Sequence, residues 1–341
     1  METIRFDELN LDPRILRAVT DMGFEAASPI QAQAIPVEME GHDMIGQAQT
    51  GTGKTAAFGI PLLMKMDPEN RKTQAMILCP TRELAIQVAE ELRRLAKYMS
   101  GIKILPVYGG QEIVKQIRSL KGGVQIIVGT PGRVMDHMRR KTIRTDAIHT
   151  VVLDEADEML NMGFLEDMET ILGELPEERQ TVMFSATMPP EVEKLAMDLL
   201  HEPESVKVDP VSSTVKKIDQ CLYYVDKANK KHLLAKILRD PDVENALVFS
   251  RTKHGADRIV RDLKREGIDA VAIHGDKSQN ARQAALTAFK TGECKVLVAT
   301  DIAARGIDIA GLSHVINYDM PMEPEAYVHR IGRTGRAGRD G

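Results

Sequence analysis

The sequence has no tryptophan, and aromatic residues make up only 4% of its 341 residues. Proteins that bind single-stranded nucleic acid through its bases use aromatic side chains as stacking platforms. A base-stacking platform of that kind is therefore not expected in this chain.

Cysteine is also scarce, and the thiols of Cys79, Cys221 and Cys294 lie far apart in the sequence. They form no CxxC pair and no histidine–cysteine cluster at zinc spacing, so a structural metal site is not expected. Cys79 and Cys294 lie in or beside apolar runs, which predicts small buried thiols in a reducing compartment.

Long apolar runs are missing as well, and none could cross a bilayer. The acidic start METIRFDELN lacks the basic and apolar parts of a signal peptide, so we expect a cytoplasmic protein with no membrane partner. The composition is that of a globular protein, with 43% hydrophobic residues. A single core rarely serves more than about 250–300 residues, so the length predicts two domains.

Charge is distributed unequally along the chain, whose formal net charge is −5. Residues 1–209 contain 23 basic and 33 acidic side chains, whereas residues 210–341 contain 22 basic and 17 acidic ones. Phosphate binding needs a local basic surface rather than a basic average. The basic second half is therefore compatible with a nucleic-acid partner, although the split taken alone could equally be incidental.

Short apolar, β-branched runs alternate with helical patterns in the first half of the chain. The predicted strands are residues 76–80, 103–108, 124–130, 150–155, 181–186 and 205–209. Residues 83–99 predict an amphipathic helix whose apolar face contains Leu84, Val88, Leu92 and Leu95. The alternation predicts an α/β fold with a mostly parallel sheet flanked by helices, which binds ligands at the carboxyl ends of its strands.

The same pattern restarts after a short polar stretch, residues 210–218, which indicates a linker. Further strands are predicted at residues 220–225, 246–250, 270–274, 295–300 and 314–319. The sequence therefore predicts an N-terminal domain at 1–209 and a C-terminal domain at 219–341. The chain stops in glycine- and arginine-rich sequence, so we expect a truncated second domain; a naturally ordered loop end is the alternative.

A glycine-rich segment, AQTGTGKT (48–55), precedes a helical pattern. The backbone N–H groups of such a turn and the helix dipole bind phosphate. In this pattern Lys54 can reach the β- and γ-phosphates of a nucleotide, and the Thr55 hydroxyl can hold Mg²⁺. Ala48 stands where the strict pattern has glycine, and a purely structural turn is the alternative.

An acidic segment ends the apolar run VVLDEAD (151–157). We expect it at the sheet edge where the nucleotide would bind. Asp154 is predicted to hold Mg²⁺, and Glu155 to orient and polarise the attacking water. Because Glu158 continues the acidic run, the alternative is a solvated acidic loop.

The order DEAD at residues 154–157 resembles the signature of the DEAD-box RNA helicases. Other segments are similar to the family's motifs and stand in the family's order. They are GFEAASPIQ (23–31), PTRELA (80–85), the pair Gly109-Gly110, TPGR (130–133), SAT (185–187), LVFSRTK (247–253), HGDKSQNAR (274–282), ATDIAARGIDI (299–309) and HRIGRTGRAGR (329–339). Ala27 and Ser28 depart from the family's usual proline and threonine. The resemblance implies two tandem RecA-like domains with an ATP and RNA cleft between them.

The resemblance also implies a nucleotide site built from both domains. Gln31 would read the adenine edge, with Phe24 packed near the base, while Asp308 would face the ribose. His329 would couple the last motif to the phosphates; a surface histidine is the alternative. The implied ATP-binding residues are Phe6, Phe24, Gln31, Ala48, Gln49, Thr50, Gly51, Thr52, Gly53, Lys54, Thr55, Asp308 and His329.

The last motif supplies candidate arginine fingers. The glycines between Arg333 and Arg336 let the backbone turn tightly, so both could reach the γ-phosphate from the second domain. A solvated basic tail is the alternative. The implied catalytic residues are Lys54, Asp154, Glu155, Asp157, Arg333 and Arg336. The residues implied to couple hydrolysis to strand separation are Ser185 and Thr187.

Small residues, hydroxyls and arginines in the remaining motifs imply contacts with the RNA backbone. These residues are Pro80, Thr81, Arg82, Gly109, Gly110, Thr130, Pro131, Gly132, Arg133, Arg251, Gly275 and Thr300. Thr81 and Thr130 follow strands, so they are also candidate helix caps. With few aromatic residues, binding should depend little on base sequence, and a preference for RNA would come from 2′-OH contacts.

The function implied by the resemblance is RNA-stimulated hydrolysis of ATP coupled to local unwinding of short RNA duplexes or remodelling of ribonucleoproteins. An ATP-gated RNA clamp or annealing scaffold would use the same residues. A DNA translocase is a third possibility. It is disfavoured by GFEAASPIQ (23–31), which resembles the family's Q motif, and by the sequence DEAD at residues 154–157.

Overall fold

The computed structural model describes residues 4–49, 51–208, 218–304, 309, 311–322, 324–335 and 341. The chain divides into two compact units, Met1–Asp209 and Pro210–Gly341. A seven-stranded and a four-stranded sheet are present among the described residues. Residues 210–217 of the predicted linker lie outside them.

The first unit contains a 3₁₀ helix, Phe6–Leu9, followed by alternating helices and strands. The helices are α1 (Pro13–Asp21), α2 (Pro29–Glu40), α3 (Lys54–Met64), α4 (Arg82–Leu95), α5 (Ile113–Lys121), α6 (Pro131–Arg139), α7 (Ala156–Asn161), α8 (Leu165–Gly173) and α9 (Pro190–Leu199). The strands are β1 (Met44–Gln47), β2 (Ala75–Leu78), β3 (Ile104–Val107), β4 (Ile126–Gly129), β5 (Thr150–Leu153), β6 (Gln180–Ser185) and β7 (Glu204–Lys207).

All neighbouring strands of this unit run parallel, in the order β3-β4-β2-β5-β6-β1-β7. The predicted strand runs of the first half are confirmed with shifted ends, and β1 is an additional strand. Alternate residues of one strand enter different hydrophobic clusters: Ile77 joins one cluster, whereas Met76 and Leu78 join the other. The central strands are therefore buried on both faces, as expected for a parallel sheet covered by helices.

The parallel arrangement brings the carboxyl ends of the strands to one edge of the sheet. The glycine-rich segment follows β1, and the acidic residues 154–157 follow β5. The segments at 80–82, 109–110, 130–133 and 185–187 follow β2, β3, β4 and β6. The helix after β2, α4, buries its predicted apolar face of Leu84, Val88, Leu92 and Leu95.

The second unit repeats the pattern on a smaller scale. Its helices are α10 (Lys230–Leu238), α11 (Lys253–Arg265), α12 (Gln279–Lys290), α13 (Asp301–Ala304) and α14 (Pro324–Ile331). Its strands are β8 (Ala246–Phe249), β9 (Ala270–Ile273), β10 (Val296–Ala299) and β11 (His314–Asn317), paired in parallel in the order β11-β8-β10-β9. The strands predicted from residue 246 onwards are confirmed.

The strand predicted at residues 220–225 is wrong. In the structure this segment forms no strand, and Leu222, Tyr223 and Tyr224 are all more than half exposed. Aromatic and branched residues favour a strand only where a neighbouring strand and a buried face are available. None of the described strands of the second unit pairs with this segment.

Two of the three cysteines are buried, as predicted. They are Cys79 and Cys294, whereas Cys221 is exposed in the 220–225 segment. Burial raises the pKa of the Cys79 thiol well above its ordinary value, so this thiol is protonated and unreactive. No helix in the described part of the chain is long and apolar enough to span a membrane.

Candidate functional site

The glycine-rich segment forms the turn between β1 and α3. Gly51 and Gly53 have φ angles of 85° and 90°, in the left-handed region that favours glycine. Gly53 is the N-cap of α3, whose first residue is Lys54. The Thr52 hydroxyl donates a 2.8 Å hydrogen bond to the Gln49 carbonyl, which closes the turn. The helix N-terminus that would bind phosphate therefore lies at the carboxyl edge of the sheet.

Residues 28–31 bind this turn directly. Ser28 Oγ donates to the Thr52 carbonyl at 2.8 Å, and Gln31 Nε2 donates to the Gly53 carbonyl at 3.1 Å. Gln31 Oε1 accepts from the Ser28 backbone N–H at 2.8 Å, which orients the amide. A Cβ at position 53 would collide with Gln31 Nε2, so this close approach also requires glycine.

Sequence reasoning assigned Gln31 to the adenine and missed its bond to the phosphate loop. That bond uses one of the two N–H groups of the amide, so the adenine contact stays a prediction. The spacing Ser-x-x-Gln at residues 28–31 is that of a capping box, and it could have indicated that Gln31 is held at the start of α2.

Two phenylalanines stack beside this segment. The ring centroids of Phe6 and Phe24 are 6.2 Å apart, and the ring planes differ by 22°. Phe6 is buried in the core, whereas Phe24 is partly exposed. Of the two predicted aromatic contacts, Phe24 is thus the one with surface available for a base, and Phe6 supports it.

Lys54 and Asp154 form a buried pair at the centre of the site. Lys54 Nζ lies 3.9 Å from Asp154 Oδ1, and the two side chains are only 6% and 4% exposed. Neither atom has a hydrogen-bond partner among the residues that the structure describes. Burial raises the pKa of Asp154 to about 7; Lys54 opposes this rise, and Glu155 adds to it.

A magnesium-bound nucleotide fits this pair. A phosphate oxygen would accept the hydrogen bonds that Lys54 Nζ can donate, and a hard cation would bind the Asp154 carboxylate. Thr55, the second residue of α3, is the predicted second protein ligand of the cation. Burial of two charged groups is costly unless their remaining hydrogen bonds are satisfied, and a bound nucleotide would satisfy them.

Glu155 has an unusual backbone. Its φ and ψ are 56° and 54°, in the left-handed region, and it forms the N-cap of α7. A non-glycine residue in a sparsely populated region costs on the order of 1–3 kcal/mol, and such residues cluster at functional sites. Asp154, Glu155 and Asp157 are all buried. The alternative of a solvated acidic loop is therefore wrong.

Asp157 connects the acidic segment to the residues that follow β6. Its Oδ2 accepts hydrogen bonds from the backbone N–H of Thr187 at 2.9 Å and from the Thr187 hydroxyl at 2.7 Å. Ser185 Oγ donates to the Thr187 carbonyl at 2.7 Å and accepts from the Asp157 N–H at 3.3 Å. Asp157 thus positions residues 185–187, and their coupling role stays a prediction.

Arg82 packs against the paired glycines after β3. A Cβ at Gly109 would lie 3.2 Å from Arg82 Nη2, and one at Gly110 would lie 2.5 Å from Nη1. Gly110 also has a φ of 87°, which favours glycine. Two of the predicted RNA-backbone segments, Pro80–Thr81–Arg82 and the glycine pair, therefore share one surface.

The two candidate threonine caps differ. Thr81 is the N-cap of α4, and its Oγ1 accepts from the Leu84 N–H at 3.2 Å. Thr130 occupies the N-cap position of α6 without a side-chain bond to that helix. Pro131 and exposed Gly132 begin the same helix. The capping role is confirmed for the Thr81 side chain, which leaves its hydroxyl hydrogen for another partner.

Arg133 makes hydrogen bonds within the protein that its predicted role as an RNA contact did not include. Its Nη1 donates to the Gln111 carbonyl and to Gln116 Oε1, both at 3.0 Å, and its side chain is 16% exposed. Gln116 and its neighbour His137 were missed, because neither stands in a segment with a recognisable signature.

In the second unit, Arg251, Gly275 and Thr300 follow β8, β9 and β10 at the carboxyl edge of the sheet. The Arg251 N–H donates to Asp319 Oδ2 at 3.0 Å. Arg251 and Gly275 are exposed, and Thr300 is partly exposed. All three are thus available at the edge where the resemblance places RNA.

Arg330 is a residue that sequence reasoning missed. Its guanidinium binds both carboxylate oxygens of Asp301, at 2.6 and 2.7 Å. It also donates to Asn317 Oδ1 at 2.9 Å and to the Asp319 carbonyl at 2.6 Å, and it lies 4.8 Å from the centre of the Phe249 ring. These contacts fasten α14 to the ends of β8, β10 and β11. They thereby position partly buried His329 and Arg333.

Three predicted site residues, Thr50, Asp308 and Arg336, lie outside the described residues. Their ATP-binding and catalytic roles remain predictions from the resemblance.

Comparison with known proteins identifies the family. The family profile described as DEAD/DEAH box helicase matches residues 28–195, and the one described as Helicase conserved C-terminal domain matches residues 229–338. The DEAD-box ATP-dependent RNA helicase CshA of Bacillus subtilis is 53% identical over 339 residues, which cover 99% of this chain and 68% of that protein. The chain belongs to the DEAD-box helicase family.

Another bacterial DEAD-box relative is the ATP-dependent RNA helicase CshA of Listeria monocytogenes, which is 52% identical over 337 residues. The match covers 99% of this chain and 65% of the relative, so the chain spans about two thirds of the length of these proteins.

Solved DEAD-box structures share the fold. Dbp5 of S. cerevisiae bound to RNA and ADP BeF3 matches with a TM-score of 0.89 and 36% identity, over 99% of this chain and 88% of that one. A DEAD box protein from Methanococcus jannaschii matches with a TM-score of 0.61 and 42% identity, over 100% of this chain and 92% of that one. The predicted fold class, two tandem RecA-like α/β units, is confirmed.

Proposed function

We propose that this DEAD-box chain is an RNA-stimulated ATPase that separates short RNA duplexes or remodels ribonucleoproteins locally. The observation that carries the proposal is the buried Lys54–Asp154 pair beside Glu155, at the end of a phosphate-binding turn. The relatives named as ATP-dependent RNA helicases support the choice of ATP and RNA.

In the nucleotide site, we assign Lys54 and the turn at residues 48–55 to the phosphates, and Thr55 and Asp154 to Mg²⁺. The cation would neutralise charge that develops on the phosphates. Glu155 takes the proton of the attacking water. Its carboxylate is set by a left-handed backbone and by burial, so it is oriented before the substrate binds.

The candidate RNA contacts are divided between the two units, with Arg82 and Arg133 in the first and Arg251 and Thr300 in the second. We therefore propose that ATP and RNA together favour a closed arrangement of the units. In that arrangement Arg333 and Arg336 would stabilise the charge on the transferred phosphoryl group.

The test compares ATP hydrolysis with RNA, with DNA of the same sequence, and without nucleic acid, followed by strand displacement under multiple turnover. Stimulation by RNA with displacement supports the helicase. Stimulation without displacement indicates the ATP-gated clamp, and equal stimulation by DNA indicates the translocase. A rate of ATP hydrolysis that is the same with and without RNA contradicts the proposal.

We also propose a cytoplasmic location, which rests on the sequence alone. Fractionation of cells that express a tagged chain tests it, because recovery with the membrane fraction at high salt would contradict it.

A further inference from the structure

Gln116, whose side-chain amide makes all of its possible hydrogen bonds, links α5 to the loop after β3. Gln116 is only 1% exposed. Its Nε2 donates to the Tyr108 carbonyl at 3.0 Å and to Gln111 Oε1 at 2.9 Å. Its Oε1 lies 3.0 Å from Arg133 Nη1 and 2.9 Å from His137 Nε2. All the hydrogen-bonding positions of the amide are used. Exchanging the positions of its oxygen and nitrogen would place the amide N–H groups against Arg133 Nη1, which can only donate.

These bonds assign the proton on the His137 ring. Because Gln116 Oε1 can only accept, His137 Nε2 must carry a hydrogen. His137 Nδ1 lies 2.7 Å from Thr142 Oγ1 and is an acceptor in the neutral ring, so the single hydroxyl hydrogen of Thr142 is shared between Nδ1 and the His137 carbonyl, which lies 3.0 Å from Oγ1. Burial, together with the nearby Arg133 guanidinium, lowers the pKa of His137 to about 4, so the ring is neutral near pH 7.

The same bonds hold the loop at residues 108–111, here called the glycine loop, on both sides of its glycine pair. Tyr108 and Gln111 flank the glycine pair, and both are bonded to Gln116. Arg133 Nη1 binds the Gln111 carbonyl as well. Gly110 remains exposed between these fixed points. We call Gln111, Gln116, Arg133, His137 and Thr142 the Gln116 network.

We infer that Gln116 and His137 are positioning residues for RNA binding, which fix the glycine loop and Arg133 in the arrangement that an RNA backbone requires. The inference rests on the proposed function. Both side chains are buried, at 1% and 0% exposure, so neither can touch RNA itself. Holding a binding loop in its bound conformation raises affinity because less ordering remains to be done on binding. Within the described residues, the hydrogen bonds of this network involve no residue of the nucleotide site.

The test uses Gln116→Ala and His137→Leu, with His137→Gln as the conservative variant that keeps an N–H near Gln116 Oε1. His149→Leu is the matched control, since His149 is a half-buried histidine immediately before β5, at the opposite edge of the sheet. The measurements are the RNA concentration for half-maximal ATPase stimulation, the KM for ATP, kcat at saturating RNA, RNA affinity by anisotropy, and the melting temperature.

Without these bonds the loop and Arg133 must be ordered when RNA binds, so Gln116→Ala and His137→Leu should each raise the half-saturating RNA concentration about 5–30-fold. The KM for ATP and kcat at saturating RNA should stay at wild-type values. His137→Gln should recover most of the affinity, and His149→Leu should leave it unchanged. Thr142→Val, a milder change at the end of the network, should act in the same direction if a stronger variant fails to fold.

Unchanged RNA affinity in the Gln116 and His137 variants would overturn the inference. Equal losses in RNA affinity, KM for ATP and kcat would also overturn it, because they would indicate general destabilisation. If the rate of ATP hydrolysis by the wild-type chain does not depend on RNA, the proposed function is contradicted instead. The anisotropy measurement still tests the positioning role in that case.

Discussion

At the scale of single residues, the site is built around a charge pair that the fold leaves incompletely bonded. Lys54 and Asp154 are buried 3.9 Å apart. Another lysine–aspartate pair of the first unit, Lys72–Asp146, is closer at 2.6 Å, but both side chains are about half exposed. An exposed pair contributes at most about 1 kcal/mol, whereas a buried pair depends strongly on having both partners.

Lys54→Ala should abolish ATP hydrolysis and weaken ATP binding, because the phosphates lose their buried cation. Titration calorimetry with ATP and circular dichroism of the same samples would check binding and folding together. Lys72→Ala is the matched control and should leave both unchanged. Normal ATPase activity in the Lys54 variant would remove the phosphate-site assignment.

Arg333→Ala should lower turnover by about 10³–10⁵, the range for arginine fingers, with a much smaller loss of ATP binding. The same expectation holds for Arg336→Ala. Single-turnover hydrolysis and equilibrium binding of ATP would separate the two effects. Arg330→Lys is the contrast, because loss of its bidentate bond to Asp301 should lower the melting temperature as well. Equal losses of binding and turnover in the Arg333 variant would indicate a structural role.

At the scale of elements, the sequence predicted what depends on local pattern. The strands of the first sheet follow from short apolar runs, and the phosphate turn follows from glycines ahead of Lys54. Local pattern failed at residues 220–225, where strand-forming residues have no described strand to pair with.

Contacts between distant segments were not predictable. The bonds of Arg330 to Asp301 and of Gln116 to His137 join residues 29 and 21 positions apart in the chain. A glutamine or an arginine has the same local signature on a surface as in the interior. Only the packing of α5 on α6, or of α14 on the sheet, decides which of them is buried.

The α5–α6 contact should make stability depend on pH. The folded pKa of His137, about 4, is below its ordinary value of 6.5, because burial and the nearby Arg133 and Arg140 outweigh Asp136. The unfolded chain therefore binds more protons between these values, and the stability that neutral His137 provides is lost as pH falls through that range. Between about pH 7 and pH 5 the loss should be about 2 kcal/mol.

Urea unfolding of wild type and His137→Gln at both pH values measures this term, because groups that titrate in both proteins cancel in the difference. His149→Gln serves as the control for removal of a half-buried histidine. An identical pH dependence in wild type and His137→Gln would contradict the assignment of a neutral, buried His137.

At the scale of the whole molecule, we propose that the division of candidate RNA contacts between two units links RNA binding to nucleotide binding. If ATP and RNA both favour the closed arrangement, each must raise the affinity of the other by the same factor.

Glu155→Gln keeps the shape of the side chain and removes the base, so hydrolysis should fall by roughly 10²–10⁴. ATP should still bind through Lys54 and Asp154, and RNA should be held tightly with ATP and loosely with ADP or no nucleotide. Anisotropy with labelled RNA measures this at fixed salt, because phosphate contacts are salt-sensitive. RNA affinity that is the same with and without ATP would contradict the closed clamp.

Because of the left-handed backbone of Glu155, selection for thermal stability and selection for ATPase turnover favour different residues at this position. Glycine adopts that conformation without the cost that a side chain incurs. Glu155→Gly should therefore melt at a higher temperature than Glu155→Ala, although both lack the base. A population of variants selected for heat resistance alone should drift towards glycine at this position, and only selection for turnover retains glutamate. Sorting a position-155 library first for heat resistance and then for ATPase activity would show both pressures.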